Sequence, residues 1–197
     1  TQQNPSHTYT SLGTYTVTLT VTNGLCSHQI QKTVTLVAEN IDFSASLTNI
    51  CRNQSTLFTA NLNYANILSY FWSFGNLSTF GNANERNSYV NSGFYTARLV
   101  VTDINGCRDS LERPNYIRVN GPVANFNIAQ GQVCLNNTVQ LTNTSATDGI
   151  NAINRAIWDM GNTDVINSIT NPFTYTYPAA GTYDIKLLVR DAFGCVD

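Results

Sequence analysis

One frame occurs three times in this chain: Tyr, three residues, Gly, one residue, Tyr, then alternating apolar positions that end near a Cys. The first copy runs from Tyr9 through Gly13 and Tyr15 to Cys26, the second from Tyr89 through Gly93 and Tyr95 to Cys107, and the third from Tyr177 through Gly181 and Tyr183 to Cys195. The glycines are spaced by 93 − 13 = 80 and 181 − 93 = 88 residues. Recurrence at a module-sized period marks a repeat array rather than one large domain. Upstream signals recur in step. Cys51-Arg-Asn-Gln matches Cys134-Leu-Asn-Asn, and Trp72-Ser-Phe-Gly-Asn matches Trp158-Asp-Met-Gly-Asn.

The frame predicts three modules: residues 39–120 form a complete one, 1–38 hold the C-terminal strands of a preceding one, and 121–197 form one that lacks its last strand. A sandwich without its outer strands leaves a sheet edge unpaired, so a longer parent protein is expected. In the complete module, period-two alternation places strands near 41–46, 55–61, 68–74, 86–90, 94–102 and 107–119, with a short one at 77–80, and Asn105-Gly106 reads as a hairpin turn. No stretch keeps a helical period. Roughly a quarter of the residues are Thr, which favours strands, or Asn, which favours turns. About seven short strands in about 80 residues is the pattern of an immunoglobulin-like sandwich. The fold class is therefore all-β, in tandem seven-strand sandwiches. Trp72, Trp158, Tyr89, Tyr177, Tyr95 and Tyr183 are assigned to the core, with Tyr89 and Tyr177 as corner tyrosines before the sixth strand.

The Trp-x-Phe/Met-Gly-Asn segment and the Tyr-x-x-x-Gly-x-Tyr frame resemble those of PKD domains over essentially the whole chain. In that family the first segment usually reads Trp-Asp-Phe-Gly-Asp-Gly. Here Asn76 and Asn162 replace the second acid and Ser73 replaces one copy of the first, while Asp159 keeps it. Calcium takes six to eight oxygens, several from carboxylates, so no metal site and no cofactor is expected. The Cys-Xaa-Asn-Gln/Asn pattern, with Gly-Cys on the hairpin, further resembles the repeat arrays of giant Bacteroidota surface proteins, the gliding-motility adhesins of the SprB type. That resemblance implies type IX export and extracellular display as filaments on the outer membrane. The implied partners are neighbouring modules, the secretion or motility machinery and surface polysaccharide. Similar arrays are also appended to secreted hydrolases.

The five cysteines occupy two recurrent positions, which in an exported repeat points to disulfides. Two pairings are open: Cys51 with Cys195 between modules, or Cys51 with Cys107 and Cys134 with Cys195 inside them. Strand parity favours the first. The loops after the first and sixth strands lie at opposite ends of a sandwich, about 20 Å apart for a six-residue strand, whereas bridged Cα atoms lie about 4.4–6.8 Å apart. The short join Val119-Asn-Gly-Pro-Val123 brings Cys51 of one module beside Cys195 of the next. Cys26, Cys107 and Cys134 are then left for modules outside the chain, or unpaired. Such a clasp stiffens the joint.

Charged residues make up only 11% of the chain and the net charge is −2, which gives no basic surface for nucleic acid. No apolar run approaches the ~20 residues that span a bilayer. No nucleophile is paired with a base, and His7 and His28 do not flank the cysteines, so the chain reads as non-catalytic. Phe80, Tyr64 and Phe193 fall in or near loops, where a sugar ring can stack. The insertion from Asp148 to Asn154 is the expected variable loop.

Overall fold

The computed structural model describes residues 2–36, 40–62, 66–76 and 79–197. The chain divides into two compact units, one covering Thr1–Asn40 and the other containing nearly all of the rest.

The first unit is a two-stranded antiparallel ribbon of β1 (Gly13–Thr22) and β2 (Ser27–Leu36), in register from Gly13 opposite Leu36 to Thr22 opposite Ser27. Val17, Leu19, Val21, Ile30 and Val34 fall on one face of this ribbon and are all exposed. The alternation is that of a strand pair built to cover a core.

The second unit holds two sandwiches. The first contains β3 (Ile41–Ala45), β4 (Asn49–Cys51), β5 (Ser55–Leu62), β6 (Ile67–Ser73), β7 (Thr79–Phe80), β8 (Asn84–Ser88), β9 (Gly93–Asp103) and β10 (Arg108–Asn120). One sheet has the order β3-β5-β8 and the other β4-β10-β9-β6-β7. The strand expected near 41–46 is β3, and the structure adds an unexpected short strand after it, β4. β3 pairs in one sheet, and after a short break β4 joins the other, running parallel to the end of β10 with Asn49 opposite Arg118 and Cys51 opposite Asn120. Between the two, the Thr56 hydroxyl donates to the Leu47 carbonyl at 2.8 Å and also accepts from the Leu47 N–H, which holds the crossing. β10 bulges between Arg113 and Ile117, where Pro114 has no N–H to give the ladder.

The second sandwich is built from β11 (Phe126–Ile128), β12 (Thr138–Asn143), β13 (Ile153–Asp159), β14 (Val165–Asn167), β15 (Phe173–Thr176) and β16 (Lys186–Asp191), in sheets β11-β12-β15 and β14-β13-β16. After β16 the chain turns back, and Val189 and Asp197 exchange backbone hydrogen bonds.

Each core is centred on its tryptophan. Trp72 and Trp158 are fully buried, and their indole N–H groups donate to the carbonyls of Asn82 and Ser168. Phe43, Phe58 and Phe74 surround Trp72, and Phe126 and Phe173 flank Trp158. The glycine three residues after each tryptophan is fixed by backbone approach: a Cβ on Gly161, at φ 76°, would lie 2.7 Å from the Asp184 carbonyl, and one on Gly75, at φ 80°, would lie 3.0 Å from that of Thr96.

The tyrosines divide differently from the expectation. Tyr89 is buried and belongs to the core, and burial pushes its phenol up to about 12 against the opposing Asn87 amide. Tyr177, Tyr95 and Tyr183, also assigned to the core, are only half-buried. The corner hydrogen bond is made by the second tyrosine of each frame: Tyr15, Tyr95 and Tyr183 donate to the carbonyls of Ser11, Asn91 and Ala179, four residues upstream. Each corner tyrosine must keep its ring over the turn to reach that carbonyl, so Tyr95 lies tilted against Tyr89 at 4.2 Å and Tyr183 stacks on Tyr177 at 4.1 Å.

Candidate functional site: the joint between two sandwiches

The crossing of β4 onto β10 delivers Cys51 to the C-terminal pole of its sandwich. There the Arg52 N–H donates to the Asn120 carbonyl at 2.9 Å, and Asn53 takes φ 62° with its N–H bonded to the Tyr89 carbonyl. Asn tolerates that left-handed turn better than most residues. From the other module, the hairpin after β16 presents Cys195. One carboxylate oxygen of Asp191 accepts the N–H groups of Gly194 and Cys195, both at 2.8 Å, which holds the hairpin in shape.

A disulfide joins Cys51 to Cys195 with their Cα atoms 5.5 Å apart, across 144 positions of sequence. The alternative pairings inside modules are absent: Cys107 and Cys134 are free and exposed, as is Cys26. Cys107 precedes the 13 residues of β10, whose far end pairs with Cys51; at strand rise the two positions are about 40 Å apart, far beyond disulfide reach.

Arg52 ties the linker to the clasp. Its Nε donates to the Val90 carbonyl at 2.7 Å and its Nη1 to the Pro122 carbonyl at 2.6 Å. The same Nη1 lies 3.5 Å from Asp197, whose carboxylate accepts the Ala124 N–H. Gly121 lies beneath this group at φ 131°, and a Cβ there would sit 3.4 Å from both the Arg52 side chain and Cys195. The conformation requires glycine, whereas a Cβ there would make only ordinary van der Waals contact.

A second brace comes from the insertion that was expected to be a variable loop. Its Asp148 side chain is fully buried and 3.1 Å from Arg118, which is itself buried. Arg118 also donates to the Asn120 side chain at 3.1 Å and stacks over Phe94 at 4.8 Å. Asn151 donates to both Asn120 and Asp148. Burial pushes the Asp148 carboxyl up, but hydrogen bonds from Asn151, Ile150 and Gly121 outweigh it and hold the group at about 2. A buried charge pair is costly unless its remaining groups are satisfied, and here the polar neighbours close around it. The loop thus fixes one sandwich against the next.

The other candidate residues lie elsewhere. Phe193 is half-exposed on the Cys195 hairpin, beside a polar pocket of about 330 Å³ lined by Asn154, Arg155 and Arg190 among others. Tyr64 lies outside the described residues. His7 packs edge-on against Tyr9, and His28 is exposed on β2. Asp159 accepts the Gly161 N–H, and Asn162 donates to Tyr175. Among the described residues, no three His, Cys, Asp or Glu are gathered as a metal site. Sequence reasoning missed Arg52, Arg118, Asn120 and Asp148 because each is a lone polar residue in its own segment, and only the joint brings them together.

These features define tandem immunoglobulin-like β-sandwich modules coupled end to end. Profiles of the PKD domain match residues 36–119 and 120–197, and a second PKD domain profile matches residues 1–37. The chain belongs to the PKD domain family. It is 34% identical over 131 residues to the pre-pro-metalloprotease PrtV of Vibrio cholerae strains M66-2 and El Tor Inaba N16961, a match that covers 66% of this chain and 14% of the relative. Among solved structures, the PKD1 domain of the same V. cholerae metalloprotease is 29% identical, covering 42% of this chain and 98% of that one at a TM-score of 0.36. A structure of carbohydrate-binding modules from the β-sandwich superfamily is 15% identical and covers 78% of this chain and 84% of that one at a TM-score of 0.39. PKD modules stapled by a disulfide belong to the secreted and extracellular class of proteins.

Proposed function

We propose that these modules are non-catalytic stalk repeats of a large cell-surface adhesin filament, displayed on the outer membrane and serving attachment and gliding motility. The observation that supports this reading is the joint. A covalent clasp, an arginine-held linker and a buried Arg118–Asp148 brace couple consecutive sandwiches, whereas a spacer that only needs reach can use a flexible linker. A filament dragged over a surface needs stiffness and resistance to extension at every joint. The partners in this reading are neighbouring modules, the export and motility machinery, and polysaccharide on the surface being crossed.

A second reading, accessory modules of a secreted hydrolase, is favoured by the PrtV relatives, in which the matched segment is 14% of the protein. Immunogold labelling of intact cells with antibody to residues 41–197, followed by electron microscopy of the released protein, separates the two. Long surface fibres are expected. A short particle in the medium that cleaves peptide or glycan would overturn the stalk and establish the second reading.

A further inference from the structure

The two halves of the clasp are repeated where no bond is present. Cys134 sits in the same turn as Cys51: Asn136 takes φ 67° as Asn53 takes 62°, and the N–H three residues on returns to the cysteine carbonyl at 3.0 Å, as it does at 3.1 Å in the first copy. Cys107 sits in the same hairpin as Cys195. Its N–H is held by the Asp103 carboxylate at 2.8 Å and its carbonyl accepts the Asp103 N–H at 3.0 Å, the distances found for Asp191 and Cys195. Cys26 repeats the arrangement with Asn23, at 2.9 and 3.1 Å. Beside Cys134 an open cavity of about 750 Å³ is lined by Val133, Asn136, Tyr177 and Tyr183, so the turn that holds the bonded cysteine in one sandwich faces open space in the next.

We propose that the Cys51–Cys195 bond is one link of a continuous series. Cys134 bonds the Gly-Cys hairpin of the PKD module that follows it in the same polypeptide, and Cys107 bonds the Cys-Xaa-Asn turn of the module that precedes it. Cys26 does the same one module earlier. Cys107 and Cys134 do not pair with each other, because the length of β10 separates Cys107 from the joint and the second sandwich separates Cys134 from it. Each link forms by exchange with an oxidised dithiol carrier of the export compartment. One cysteine thiolate attacks the carrier disulfide, and the second cysteine thiolate displaces the carrier sulfur. The carrier leaves as a dithiol, having taken both electrons and both protons.

The links interlock, because Cys134 lies inside the loop closed by Cys51 and Cys195. Each new loop therefore starts before the previous one ends, so every stretch of chain lies inside a closed loop and only short segments, such as the one from Cys107 to Cys134, remain in the direct path between clasps. This holds whether the array belongs to an adhesin or to a hydrolase.

The test is peptide mapping of the native full-length protein after thiols are blocked and without reduction. A Cys134 peptide crosslinked to a Gly-Cys hairpin peptide of the following module is expected, together with a Cys107 peptide crosslinked to a Cys-Xaa-Asn peptide of the preceding one. Recovery of Cys134 or Cys107 as a blocked free thiol overturns the proposal, as does a bond between these two or to a second copy of the chain. In the Cys134→Ser variant, maleimide labelling of folded protein should gain one site, on the following module's hairpin cysteine. No gain in labelling would equally overturn it.

Discussion

Opening the Cys51–Cys195 clasp should lengthen the fully stretched chain by a fixed amount. With the bond closed, the two cysteines stay 5.5 Å apart however hard the ends are pulled, and the 144 positions between them carry no tension. With the bond open, those 144 positions extend at about 3.5 Å each, which adds about 500 Å. The assay is single-molecule pulling of the 197-residue chain from its two ends, compared before and after reductant and against a Cys51→Ser/Cys195→Ser variant. Oxidised chains should show no unfolding steps from the chain between the two cysteines, because the force path runs through the bond; of the two sandwiches, only β3 and β4, which lead up to Cys51, stay in that path. Reduced and variant chains should show them, with the extra extension summing to about 500 Å. Equal extension in oxidised and reduced chains would refute the shielding. The same bond acts at equilibrium: the chain-entropy account gives up to about 5 kcal/mol for closing a loop of this size. Less is expected when only one sandwich unfolds, since the folded neighbour shortens the loop that is released.

Three further predictions concern the brace, the linker and the corners. Asp148 is held at about 2 in the folded chain against an ordinary 3.8, so its contribution of about 2 kcal/mol is complete above pH 4 and is lost as pH falls from 3.8 through 2. Urea unfolding of wild type and Asp148→Asn across that range should converge at the acid end, and parallel curves would contradict the assignment. Gly121→Ala should cost about 1–3 kcal/mol, since φ 131° suits only glycine, whereas Gly131→Ala, with open space around it, should melt like wild type. Tyr95→Phe removes the hydrogen bond to the Asn91 carbonyl and should cost about 1 kcal/mol by denaturant titration; Tyr183→Phe should match it if the corner is a repeated device.

The sandwich was legible because its signals are local and periodic. Alternation over β9, from Ala97 to Asp103, names the buried face directly, and Trp72 and Trp158 announce their own burial by size. The corner was misassigned between the two tyrosines of the frame, because size ranks Tyr89 and Tyr95 alike. Only the four-residue distance from Tyr95 back to the Asn91 carbonyl separates the ring that caps the turn from the ring beneath it. The short strand β4 after β3 was hidden for a related reason: the switch between sheets is made by Thr56 bonding across to Leu47, a partner in another strand that alternation does not report. Yet that switch is what carries Cys51 to the end of β10. The joint thus depends on a crossing that leaves little trace in hydrophobic pattern, and on polar residues that gain meaning only when two modules meet. Repeats of this fold with the cysteines but without the hydroxyl at 56, or without glycine at 121, would present the same thiols at a pole that cannot hold them together.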